Sequence, residues 1–288
     1  MITINQQPIC LNLGCGSTFH PDWRNLDIAP HSKDVERWDA TNLIPAKNQS
    51  VDFIYHSHML EHLNQDDGRD LIRECFRVLK PQGVLRIAVP DLEIICNQYL
   101  NALSRTDQGE ENGQVDAYWM RLELFDQMTR ETSGGIMAKY LESKPSNKDF
   151  IVKRCGEQVR PIVENNLMKN SYPALPATIP LHLRVKRFIK KFICADFIKE
   201  IVYRITLDET DYKALLYGRF YFSGEKHKHM YDRISLTDLL QYSGFDKIFI
   251  QNPTDSLIPS WSTYCLDVNS KGDIRKPDSL YVEAIKPA

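Results

Sequence analysis

The stretch LNLGCGSTFHPDWRNLDI, Leu11 to Ile28, constrains the fold more than any other part of the chain. An apolar run, PICLNL, stops at Gly14; a second glycine follows at Gly16 and a carboxylate at Asp27. A strand that must turn at once needs backbone angles that glycine adopts cheaply. The missing side chains also let a ligand lie against the main chain, near helix N-terminal amides. The stretch therefore predicts a buried strand, a glycine turn opening a helix, and a second strand, WRNLDI, ending on a carboxylate that can accept ribose hydroxyls. The third glycine of the dinucleotide fingerprint is absent, with Phe19 in its place. Asp27 also follows Gly14 more closely than the about 20 residues usual in that fingerprint. A pyrophosphate is thus disfavoured, while a nucleoside without phosphates still fits.

Further along, VERWDA and VDFIYHS read as a third and a fourth strand. DDGRDLIRECFRVLK has its apolar residues at helical spacing, Leu71, Ile72, Cys75, Phe76, Val78 and Leu79. PQG stops that helix, and VLRIAVPDL follows as a fifth strand. Strands and helices in this order give parallel pairing with right-handed crossovers. Near the end, SLTDLLQYSGF predicts a helix with Ser235 as N-cap and Gly244 as its stop. DKIFIQN and SLYVEAIKP then predict two more strands, with a polar loop between them. The middle, 97–230, fits the sheet pattern poorly and reads as a helical insertion over the carboxyl edge. It leaves 1–96 and 231–288 as the core.

With 288 residues, 42% of them hydrophobic and 26% charged, the chain can bury a sizeable core. A net charge of -2 gives nucleic acid no global attraction. The seven cysteines are scattered without any CxxC, which reads as reduced, cytoplasmic thiols. The N-terminus has no secretory pattern, and no apolar run is long enough to span a bilayer.

Three segments together resemble class I S-adenosylmethionine-dependent methyltransferases of the type 11 kind. They are LNLGCGSTFHPDWRNLDI, VDFIYHSHMLEHL and ECFRVLKPQGVLRIAVPDL. The ending GEKHKHMYDRISLTDLLQYSGF is similar to a subgroup associated with glycan and polysaccharide pathways. The resemblance covers roughly 8–95 and 218–288. It implies an α/β, Rossmann-like doubly wound sheet of seven strands, mostly parallel with an antiparallel last strand. S-adenosyl-L-methionine is the cofactor it implies, and methyl transfer to an oxygen of a sugar, glycan or related small molecule the reaction. It further implies cofactor contacts at Asn12, Gly14, Cys15, Gly16, Asp27, Ile28, Asp39, Ala40, His56 and Ser57. Gly14 and Gly16 would pass under the methionine part, Asp27 would hold the ribose, Asp39 and Ala40 would flank the adenine, and His56 and Ser57 would line the transfer region. Thr41 and Asn42 depart from the residues usual after the acidic position.

A hydroxyl acceptor must lose a proton, and a histidine suits that task. His227, from the GExH segment, leads the candidates, with His58 and Asp91 behind it, and His56 and His229 as further histidines. A rival reading takes HMLEH literally as an inverted zinc-peptidase motif, with His58 and His62 as ligands and Glu61 as base. It explains five residues and leaves the glycine turn aside, so no resident metal is expected. A fold kept for cofactor binding alone is the other alternative. Finally, 181–205 carries seven Lys or Arg and two acids beside a wide apolar face. It predicts either a lid helix or a helix lying on the inner face of an anionic membrane.

Overall fold

The computed structural model describes residues 7–165 and 195–288. Seven strands form one sheet: β1 (Cys10–Leu13), β2 (Arg24–Asp27), β3 (Val35–Arg37), β4 (Val51–Ser57), β5 (Leu79–Pro90), β6 (Lys247–Gln251) and β7 (Ser279–Ile285). Their order across the sheet is β3-β2-β1-β4-β5-β7-β6. β1 to β5 pair in parallel, and β7 runs antiparallel to both β5 and β6. This is the α/β, doubly wound, mostly parallel architecture with an antiparallel last strand that the sequence predicts.

β1 is buried at every position, as a central strand covered on both faces must be. One face packs on α1 (Gln65–Val78) and on a helix near the C-terminus through Leu71, Ile72, Cys75, Leu236 and Leu240. The other face carries an aromatic cluster in which Trp23, Tyr55 and Trp261 meet edge to face. Such edge-to-face contacts add to what burial alone supplies.

Three expectations need correction. No helix follows the glycine turn: residues 14–23 are irregular, and the chain enters β2 directly. The loop has its own anchor instead. The buried Asn12 amide donates to Thr18 O and to Asn25 Oδ1, and Asn25 in turn donates to His20 O and Trp23 O. The KPQG stretch is not a break between helix and strand, because β5 already begins at Leu79 and its pairing slips between Val51 and Phe53. The C-terminal helix is capped by Asp232, whose Oδ1 accepts the Ile234 and Ser235 amides, while Ser235 completes a capping box from within the first turn.

After β5 the chain runs through α2 (Leu92–Asp107), α3 (Gly113–Thr129), α4 (Gly135–Glu142), α5 (Lys148–Cys155) and α6 (Arg160–Asn165). These bury a separate apolar cluster around Ile95, Trp119, Met120 and Ile151. α7 (Ala195–Thr206) and α8 (Glu209–Tyr221) follow, then α9 (Arg233–Tyr242) and the short α10 (Trp261–Tyr264). The first part of the basic stretch at 181–205 lies outside the described residues. Its last turns form α7, where Ile201, Val202 and Ile205 are exposed. Among the described residues, no helix is long and apolar enough to cross a membrane.

Candidate active site

In an open parallel sheet the ligand crevice opens where the strand order reverses, outside the carboxyl ends. Here that point lies between β1 and β4. A cavity of about 420 Å³ sits there, lined by Asn12 of β1 and Gly14 to Thr18 after it, and by Tyr55 and Ser57 of β4 and His58 after it. Its far wall comes from Leu266, Asp267, Arg275, Lys276 and Tyr281, with Glu157 at the edge. The volume is in the range of a cofactor-sized pocket.

The turn that borders this cavity is built by close approach. Gly14 has φ of 60° and Gly16 of 54°, both in the region that favours glycine. A Cβ on Gly14 would collide with the side chain of Met59, whereas one on Gly16 would meet nothing within 4 Å. Gly14 is therefore needed for packing, and Gly16 leaves open space on the cavity side. Asp27 ends β2, half-buried; its Oδ2 accepts the Gly16 amide at 2.8 Å and its Oδ1 the Ala29 amide at 2.8 Å. Each oxygen keeps a further lone pair for a hydroxyl. Cys15 is buried between them, its amide on Leu26 O, and burial pushes its thiol up to about 11.

The remaining expected cofactor residues divide. Ser57 and His58 line the cavity. His56 does not: strand alternation turns it away from Tyr55 and Ser57. It is fully buried, neither ring nitrogen has a partner, and burial lowers its pKa to about 3. Asp39 and Ala40 lie past the end of β3, outside the cavity's wall. Asp39 Oδ1 accepts the Thr41 amide and hydroxyl, and Trp38 just before it donates its amide to Asp27 O. Ile28 is exposed beside Asp27.

The expected catalytic residues are also separated. His58 faces the cavity, with Nε2 2.7 Å from Ser279 Oγ and Nδ1 3.5 Å from Glu61 Oε1. Asp91 instead caps α2, its Oδ1 accepting the Glu93 and Ile94 amides. His227 is buried behind the cavity against His62, ring centroids 4.7 Å apart. Burial, followed by the nearby His62 and Arg130, lowers its pKa to about 2. Leu60–His62 form a single 3₁₀ turn rather than an α-helix, so His58 and His62 do not share one helical face as the peptidase motif requires.

Several wall residues carry no local motif. Arg86, fully buried in β5, donates through Nε to Asp267 and through Nη1 to Glu283, each at 2.8 Å, and stacks on Trp261. Asp267 also accepts the Tyr55 hydroxyl at 2.5 Å. This network fastens the loop before β7 to the sheet and presents Lys276 to the cavity. Lys276 has charged neighbours in Glu61, Asp278 and Asp267, and burial lowers its pKa. A lone arginine inside the apolar run VLRIAVP was the sequence signal for this network, since a buried guanidinium requires acids.

The comparisons bear on this turn and its strands. Residues 11–87 match the family described as methyltransferase domain. That segment holds most of β1, all of β2 to β4 and α1, and most of β5, and with them the glycine turn and Asp27. S-adenosylmethionine is the cofactor this domain implies, and the open face of Gly16, the cavity it lines and the Asp27 carboxylate bonded to the Gly16 amide just outside that lining fit it. A search of curated proteins gives no significant match. Among solved structures, a SAM-dependent methyltransferase from Archaeoglobus fulgidus aligns over 97% of this chain and 86% of its own, with 12% identity and a TM-score of 0.38. A SAM-dependent methyltransferase from Thermotoga maritima aligns over 98% and 83%, with 10% identity and a TM-score of 0.37. The chain spans about half of a Haloferax volcanii methyltransferase complex chain, at 51% of its length, 33% of this chain, 18% identity and a TM-score of 0.26.

Proposed function

We propose that the protein is an S-adenosylmethionine-dependent methyltransferase acting on an oxygen of a sugar, glycan or related hydroxylated small molecule. One observation carries the reading: a glycine turn pinned to the carboxylate that ends β2, beside a cavity at the reversal point of the sheet. When bound, S-adenosylmethionine supplies an electrophilic methyl group on a sulfonium. Asp27, bonded to the Gly16 amide beside the cavity, would hold the ribose hydroxyls, and Lys276, in the far wall, would meet a carboxylate.

The protein's own part is alignment and exclusion of water. Asn12, Ser17, Thr18, Ser57 and Tyr281 give the cavity a lining of hydroxyls and amides, which suits a hydroxylated acceptor. We assign the acceptor's proton to His58 in preference to His227; in support, His58 lines the cavity and its Nε2 lies 2.7 Å from Ser279 Oγ. Burial favours its neutral form, and in the tautomer whose Nε2 donates to Ser279 the Nδ1 beside Glu61 keeps a lone pair for the proton.

The test is transfer of isotopically labelled methyl to a panel of saccharides, amines and carboxylates. Turnover on saccharides that falls by about 100-fold or more in His58→Ala, with cofactor affinity kept, is the expected outcome. Turnover confined to amines would reject the acceptor class, and full activity of His58→Ala would reject the base. A peripheral membrane contact through 181–205 is proposed separately. Salt-sensitive co-sedimentation with acidic liposomes is its expected result, and no sedimentation would reject it.

A further inference from the structure

Behind the cavity wall, three side chains converge that the transfer reaction does not use. Glu61 is fully buried, and neither of its carboxylate oxygens has a hydrogen-bond partner. His227 is 5% exposed, and its Nδ1 is likewise without a partner. One donor atom from each of Glu61, His62 and His227 lies within 4.8 Å of the other two. Leaving both oxygens of a buried carboxylate unsatisfied is costly. Such a cost calls for a cation or a proton at that point.

We propose that Glu61, His62 and His227 form a binding site for one divalent first-row transition ion, with Zn²⁺ the ion best suited. Two imidazoles and one carboxylate are a donor set for such ions, and three protein ligands leave a fourth position open. The backbone holds the set in advance. Glu61 O accepts the Lys228 amide at 2.7 Å and the His229 amide at 3.2 Å, while His227 N donates to Gln127 O at 3.0 Å. His62 Nδ1 lies 3.4 Å from Lys226 O, which leaves Nε2 for a ligand. This is how a metal-bound histidine is commonly oriented, its other nitrogen on a main-chain carbonyl.

Two cations stand nearby and oppose the ion. Arg130 is already paired with Glu225 at 3.2 Å and faces Asp126 at 3.8 Å. Lys276 reaches Glu61 only through space, with Asp278 and Asp267 also answering its charge. Neither donates to the Glu61 carboxylate. The ion would tie 226–229 to the corner after β4. Its ligands differ from the peptidase pattern, because His58 is excluded and Glu61 binds instead of acting as base. The proposal departs from the metal-free expectation of the sequence, and it does not rest on the methyl-transfer reading, although Glu61 also faces His58 Nδ1 at 3.5 Å.

The experiment uses the full chain, stripped with a chelator and titrated with Co²⁺ and Zn²⁺. The expected result is one equivalent bound, a visible Co²⁺ spectrum, and a raised melting temperature with Zn²⁺. Glu61→Gln keeps the shape, and His227→Ala removes a ligand; each should weaken binding by about 100-fold or more and abolish the thermal shift. The absence of saturable binding in the wild-type chain would overturn the proposal. So would binding that survives in both variants, or binding lost in His58→Ala but kept in His227→Ala. Calorimetry with S-adenosylmethionine on the stripped protein reads the methyltransferase assignment separately.

Discussion

The two walls of the cavity are built by opposite means. The wall after β1 is local: Asn12, Gly14 and Gly16, with Asp27 behind them, lie within one short stretch, and bonds between side chains and main chain join them. The β7 wall is assembled from far along the chain, by an arginine in β5 gripping Asp267 and Glu283. The first wall gets its shape from what its residues lack, the second from charges that must be matched. Local geometry can tolerate partial change, whereas a buried charge network fails when one member leaves.

The sharpest way to break this contrast is Arg86→Met. It leaves Asp267 and Glu283 buried without their cation, so we expect a loss of about 3–5 kcal/mol in urea unfolding. A loss below about 1 kcal/mol would show that the β7 wall stands without the network. Gly14→Ala comes next. The positive φ and the Met59 side chain together should cost about 2 kcal/mol, read by the same unfolding curve. Gly16→Ala should cost about 1 kcal/mol, because only its φ resists the change and the space beside it is open. Equal costs at the two glycines would contradict the division between a packing glycine and a cavity glycine.

That division also explains what could be read from the sequence. Strand order, the helix through Leu71 to Val78, and the nearness of Gly14 and Gly16 to Asp27 all rest on periodicity and near neighbours. So they were legible. The missing helix after Gly16 was not, because an Asn12–Asn25 anchor replaces it and no spacing announces such a bond. Strand alternation could have warned that His56 and Ser57 point to opposite faces. Asp91 looked catalytic from its place at the end of β5, yet two helix amides claim it. Lys276 lay in a polar stretch, SKGDIRKPDS, that reads as loop, and only the distant Arg86 network shows which way it faces. His227 and His62 are far apart in the chain and meet edge to face in the fold, a contact that no local pattern encodes.

The central claim is that Asp27 and the glycine turn seat the nucleoside of the cofactor. Calorimetric titration of wild-type and Asp27→Ala protein with S-adenosylhomocysteine, the demethylated product, tests it most directly. One site per chain in the wild type is predicted. In the variant, loss of charge-assisted bonds should weaken binding by about 1.5–3 kcal/mol, roughly 10- to 150-fold. Equal affinity in the two proteins, or no binding to either, would contradict the account.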